Sequence, residues 1–152
     1  MAGFVFRLQN VLDYRTGLTD RARQELGVLQ GRVREAEEEL ATLHRFEQRA
    51  LQQLGTAQSG DALDLAEITR LLEYGQVLDQ RIEQQHQVIA QRQQEADAQQ
   101  QKVIALAKDA RALEKLRERQ MEEFQQDDNR RELAEMGEIA SVRHQRLQGA
   151  HR

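Results

Sequence analysis

Through the first third of the chain, hydrophobic side chains recur at alternating steps of three and four. Leu26, Leu29, Val33, Ala36, Leu40, Leu43, Ala50 and Leu54 form the series, with Glu47 as its one polar member. A repeat averaging about 3.5 residues keeps one stripe of a helix against a partner helix, so the segment predicts a coiled coil. Upstream, Phe4, Leu8, Val11, Arg15, Leu18 and Ala22 extend the stripe. The step from Ala22 to Leu26 is four where three is due. That reads as a stutter, which locally unwinds a supercoil without ending the helix.

The series stops at Leu54. The following stretch, Gly55 to Asp61, combines two glycines with small polar residues and reads as a turn. Gly55 suits a helix C-terminus. Asp61 or Asp64 suits the cap of the next helix, with Glu67 three residues after Asp64. Periodicity then resumes through Leu78, Ile82, Ile89, Ala96, Val103, Leu106, Ala110 and Leu113. Between them Gln85, Arg92 and Gln99 are polar, so the seam there is expected to be thin and weak.

A short turn between two long helices folds them antiparallel. The fold class is therefore all-α, a long antiparallel two-helix coiled-coil hairpin with a longer C-terminal arm. One such hairpin fills residues 1–152, with a helix over about 4–54, a turn over about 55–64 and a helix over about 65–148. Numbers of residues at one level add to about 119–120. The first helix spans about 75 Å at ~1.5 Å per residue, and residues from Arg117 to about Leu147 overhang it.

Composition narrows the function. Proline is absent, aromatics are 4% and charged residues 32%, the profile of long helices with little material for a thick core. Cysteine is absent, which excludes disulfides, thiol catalysis and thiolate-held metals. No run approaches the ~20 apolar residues of a bilayer span. The net charge of −4 comes with no basic stripe for phosphates, so no nucleic-acid partner is expected. His44, His86, His144 and His151 form no i, i+4 pair, and the glycines form no phosphate-binding loop. Glu37, Glu38 and Glu39 point in different directions on a helix and read as a solvated face. No catalytic residue, cofactor or metal site is expected, and the chain is not read as an enzyme. Gly17, Gly27 and Gly31 each weaken the first helix by ~1 kcal/mol, as tolerated defects or as deliberate flexibility opposite the polar seam.

The six aromatics cluster on this hairpin. Phe46 and Tyr74 fall level near the turn, whereas Phe4, Phe6, Tyr14 and Phe124 gather at the open end. Arg7, Gln9, Asn10 and Asp13 interrupt every apolar run of the opening segment, which excludes a signal peptide. The segment is expected to stay in the working protein. Aromatics often anchor interfaces, and the stripe of Phe4, Val5, Leu8, Val11 and Leu12 is wider than one partner helix covers. A third partner is expected there in preference to self-capping by the overhang. Phe46 and Tyr74 suit either a structural pair, filling the gaps at Glu47 and Gly75, or an exposed patch.

The opening FVFRLQNVLDYR, AEEEL at 36–40, ALEKLRERQMEEF at 112–124 and RRELAEMGEIASVR at 130–143 together resemble the flagellar export protein FliJ family. The resemblance covers nearly the whole chain, in order and spacing. Gly137 departs from it, at a position where the family commonly has an acid. What the resemblance implies is a hairpin similar to the central stalk of rotary ATPases, cytoplasmic and peripheral to the inner membrane at the flagellar base. Its partners would be the hexameric flagellar export ATPase, the membrane export gate and export chaperones, with no direct membrane insertion. It would promote ATPase ring assembly, couple the ring to secretion and escort chaperones. Phe4, Phe6, Leu8, Val11, Phe124, Arg130 and Arg131 would face the ATPase. Leu43, Phe46, Tyr74 and Leu78 would face the gate. The matching stalk of a virulence type III secretion system and a generic coiled-coil scaffold are the rival readings.

Overall fold

The computed structural model describes residues 3–60 and 64–150. Two α-helices, α1 (Gln9–Ser59) and α2 (Leu65–Ala150), make up the regular structure of those residues, and α2 is the longer. With no proline, no residue removes an interior backbone donor, and Ala, Leu, Glu, Gln and Arg favour the helix throughout.

Both ends of α1 fall later than the hydrophobic pattern predicts. Residues 3–6 are not helical and 7–8 form a turn, because the Gln9 amide donates to the Phe6 carbonyl at 3.1 Å and holds the chain in a bend. At the other end the helix runs through Gly55 to Ser59. Thr56 Oγ1 donates to the Gln52 carbonyl at 3.0 Å and Ser59 Oγ to the Gly55 carbonyl at 2.9 Å. These hydroxyls share carbonyls of the last turns with the backbone ladder, and Ser59 Oγ also lies 3.4 Å from the Thr56 carbonyl, one of the four that a helix end leaves without an amide of its own helix. α2 begins at Leu65. Asp64 caps it, its Oδ1 accepting from the Ala66 and Glu67 amides at 3.2 and 3.3 Å. The alternative cap, Asp61, lies outside the described residues, as does part of the expected turn.

The contacts divide into two units, Thr19–Ala105 and Met1–Leu18 with Leu106–Arg152. In the Thr19–Ala105 unit Gln85 meets Ala36 and Gln99 meets Ala22. Rising numbers on α2 meet falling numbers on α1, so the helices are antiparallel, within two residues of the expected pairing. Val33, Ala36, Ala50, Leu71, Leu78, Ala96 and Val103 are buried between them. Alanine and valine dominate this list, which brings the two backbones close.

In the other unit Arg15 pairs with Asp109 at 3.6 Å, Arg117 with Gln9, and Phe4 with Phe124, again antiparallel. Leu12 and Ala110 are buried. On α1 this unit buries Leu12 and half-buries Arg15 and Leu18, while Leu8 and Val11 are exposed. Within the Thr19–Ala105 unit, Thr19 and Ala22 are buried and Leu26 half-buried, so the step of four from Ala22 to Leu26 follows a step of three and is no stutter. Reading hydrophobic residues alone misplaced the stripe, because the position that completes the heptad is the buried Thr19.

Candidate partner-binding site

In the unit that contains both termini, the opening segment folds across α2. Phe6 is 5% exposed. The Phe4 ring packs on Phe124, centroids 5.8 Å apart and tilted 53°. The Arg117 guanidinium lies 5.9 Å from the Phe4 ring centroid, within reach of a cation–π attraction. Its Nε also donates to Gln9 Oε1 at 3.1 Å, while Gln9 Nε2 donates to Asp13 at 2.9 Å. Gln9 thus ties the start of α1 to α2 through its amide oxygen, while its amide nitrogen is held by the next turn of α1. Phe4 packs on α2 and Phe6 is buried, and no pattern in the sequence marks Arg117 as a participant. Val5, Leu8 and Val11 turn outward and keep an apolar surface beside the clasp.

Further along α2, Arg130 pairs with Asp127 within its own helix at 3.9 Å, and Arg131 is exposed. Beyond them every described residue of α2 is exposed. Leu133, Met136, Ile139, Val142 and Leu147 are large apolar side chains in this stretch. Leu133, Met136, Ala140, Arg143 and Leu147 keep the three-four spacing of a seam with no helix of this unit against it. That spacing was readable in the sequence, but the ladder was not counted among the candidate contacts.

In the Thr19–Ala105 unit, Phe46 is 39% and Tyr74 42% exposed. Leu43 is half-buried. Leu78 is 1% exposed, the most completely buried large side chain of the described residues. It packs the seam, and a partner can reach Leu43, Phe46 and Tyr74 but not Leu78. Beside them runs a groove of about 380 Å³ lined by Ala50, Leu54, Leu71, Gly75 and Leu78. A Cβ added at Gly75 would meet nothing within 4 Å, so this glycine leaves a hole in the seam. The same unit brings His44 and His86 together across the helices, ring centroids 6.5 Å apart. A search for i, i+4 pairs could not find them. No group of three metal-ligating side chains occurs among the described residues.

Chemically these surfaces are apolar ladders and half-exposed aromatics flanked by charges. No helix among the described residues is long and apolar enough to cross a membrane. No curated protein and no solved structure matches the chain. The model of the family described as Flagellar FliJ protein matches residues 4–149, and with nearly its whole length covered the chain belongs to the flagellar FliJ family.

Proposed function

We propose that this chain is a stalk-like coiled coil of the flagellar export apparatus that binds the export ATPase ring and the export gate. On this reading it promotes assembly of the ring, couples it to secretion and escorts export chaperones, working in the cytoplasm at the flagellar base. Family membership makes it a non-enzymatic component of flagellar export. The proposal adds the partners and the surfaces that meet them.

The observation that carries the reading is the run of exposed large apolar residues Leu133, Met136, Ile139, Val142 and Leu147 along α2, which shares Leu133, Met136 and Leu147 with the three-four ladder. Five large apolar side chains along one exposed helix form the kind of surface that marks a protein interaction site. Val5, Leu8, Val11 and the neighbouring Arg130 and Arg131 extend the surface proposed to meet the ATPase. Phe46 and Tyr74, with Leu43 beside them, form the surface proposed to meet the gate. Arg130 and Arg131 would add a salt-sensitive component to association with an acidic ring surface.

The test is a pull-down of the flagellar export ATPase by the full chain and by a Met136→Asp, Ile139→Asp variant. Both positions are exposed, so the fold is expected to survive, as surface changes usually cost within about 0.5 kcal/mol. The variant is expected to lose ATPase capture while retaining the helical circular dichroism of the parent. Capture at the parent's strength would remove this ladder from the interface.

A further inference from the structure

Two cross-helix contacts in the Thr19–Ala105 unit repeat one another atom for atom. Gln85 Nε2 donates to the Ala36 carbonyl at 2.8 Å and to Glu39 Oε2 at 3.1 Å. Gln99 Nε2 donates to the Ala22 carbonyl at 3.1 Å and to Glu25 Oε2 at 3.1 Å. In each case one amide group uses both its hydrogens, one on a backbone oxygen and one on a carboxylate. The glutamines are fourteen residues apart on α2, and both acceptors are fourteen apart on α1. These clamps are two heptads apart.

Between them the pattern changes. One heptad from Gln85 the α2 residue is Arg92, and one heptad from Ala36 the α1 residue is Leu29, followed by Arg32 where a clamp has glutamate. The α1 positions in this phase read Ala22, Leu29, Ala36, Leu43, Ala50. Ala22 and Ala36 are each 4% exposed. An alanine leaves the backbone carbonyl open to an incoming amide, while a leucine side chain covers it. Alternation of alanine and leucine thus doubles the period at which a glutamine can dock.

We infer that Gln85 and Gln99 form a two-point lock that selects one register of the antiparallel pair. Heptad repeats by themselves are degenerate, since a slip of seven residues restores an apolar seam, and a polar seam residue is a known way to remove that degeneracy. A one-heptad slip in this unit takes both glutamines off their alanines. In one direction it sets Gln85 against Leu43 and Gln99 against Leu29, taking two half-buried amides away from their acceptors. A slip of two heptads in that direction returns both glutamines to alanines, Ala50 and Ala36, but places Gln53 where Gln85 needs a carboxylate, so the second half of one clamp is lost. The polar stretch that weakens the seam is therefore the stretch that defines its alignment.

The test moves the alanines. In a chain carrying Ala22→Leu, Leu29→Ala, Ala36→Leu and Leu43→Ala, the composition is unchanged and the docking positions shift by one heptad. Spin labels at A41C and Q94C, both exposed positions of this unit in a chain without other cysteines, report the axial offset by pulsed electron resonance. Seven residues correspond to about 10 Å of rise, so the label distance is expected to shorten by about 10 Å. Should that chain lose its helicity, Gln85→Leu with Gln99→Leu in the parent α1 decides. There the single parental distance is expected to split, with a second population displaced by about 10 Å. An unshifted, single distance in whichever chain folds would overturn the lock.

Discussion

The Phe4 ring lies 5.8 Å from the Phe124 ring, centroid to centroid, though the two residues stand near opposite ends of the sequence. With Phe6 buried beside them and Arg117 over the Phe4 ring, this pair fastens the non-helical opening segment onto α2. A chain terminus normally frays unless something ties it down. The aromatic side chains here are the tie.

An aromatic pair of this geometry is expected to contribute about 0.5–1.5 kcal/mol beyond its buried area. Phe4→Ala, Phe124→Ala and the double variant, followed by urea unfolding, should give a coupling energy in that range. Independent, additive losses would mean that the rings are merely neighbours. Phe6→Ala is expected to be costlier than either single change, at about 3 kcal/mol, because its ring is almost wholly enclosed.

The two leucines Leu78 and Leu133 test the burial pattern itself. Leu78 is 1% exposed and Leu133 69%. Leu78→Ala is expected to cost about 3 kcal/mol, whereas Leu133→Ala should stay within about 0.5 kcal/mol. Thermal melts of the two variants would separate them clearly. Equal midpoints would contradict the seam assigned to α2.

Most of the architecture was legible because coiled-coil packing writes its period directly into the residue types. Local chemistry offered Asp61 or Asp64 as the cap of α2, and Asp64 takes that place before Leu65. Local chemistry misled at Gly55, which lies inside α1 and does not end it, the helix running on to Ser59. It misled again at Thr19, a polar residue that a hydrophobic count skips although it is buried in the heptad phase. The aromatic cluster was foreseen as a partner surface, but Phe6 is buried and Phe4 stacks on Phe124. Which side of a helix a ring faces depends on a bend at residues 7–8 that no periodicity encodes. Arg117 and the Gln85 and Gln99 clamps were illegible for a related reason: each joins residues far apart in sequence.

Gly27 offers a stabilising change. It lies inside α1 on an exposed position, and a Cβ built there meets nothing within 4 Å. Glycine in a helix interior costs ~1 kcal/mol relative to alanine. Gly27→Ala is therefore expected to raise the unfolding free energy by about that amount, read from chemical denaturation. A neutral or destabilising result would show that the glycine is required for a bend or a contact in the working assembly.

Phe46 and Tyr74 separate folding from binding most sharply. Both are exposed to about the same degree, 39% and 42%, and the described ring pairs are Phe4 with Phe124 and His44 with His86. They are not a packed pair filling the hole at Gly75, where an added Cβ would still find open space. Truncating a buried aromatic costs ~3–5 kcal/mol, so two such losses would unfold a marginal coiled coil. At this exposure the double variant Phe46→Ala, Tyr74→Ala is expected to cost less than about 1.5 kcal/mol and to keep its helical signal. If these rings meet the export gate as proposed, the same variant should lose gate binding and reduce secretion while ATPase capture persists. Gate binding at the parent's strength would move that surface elsewhere on the unit, and a large loss of stability would return both rings to a packing role.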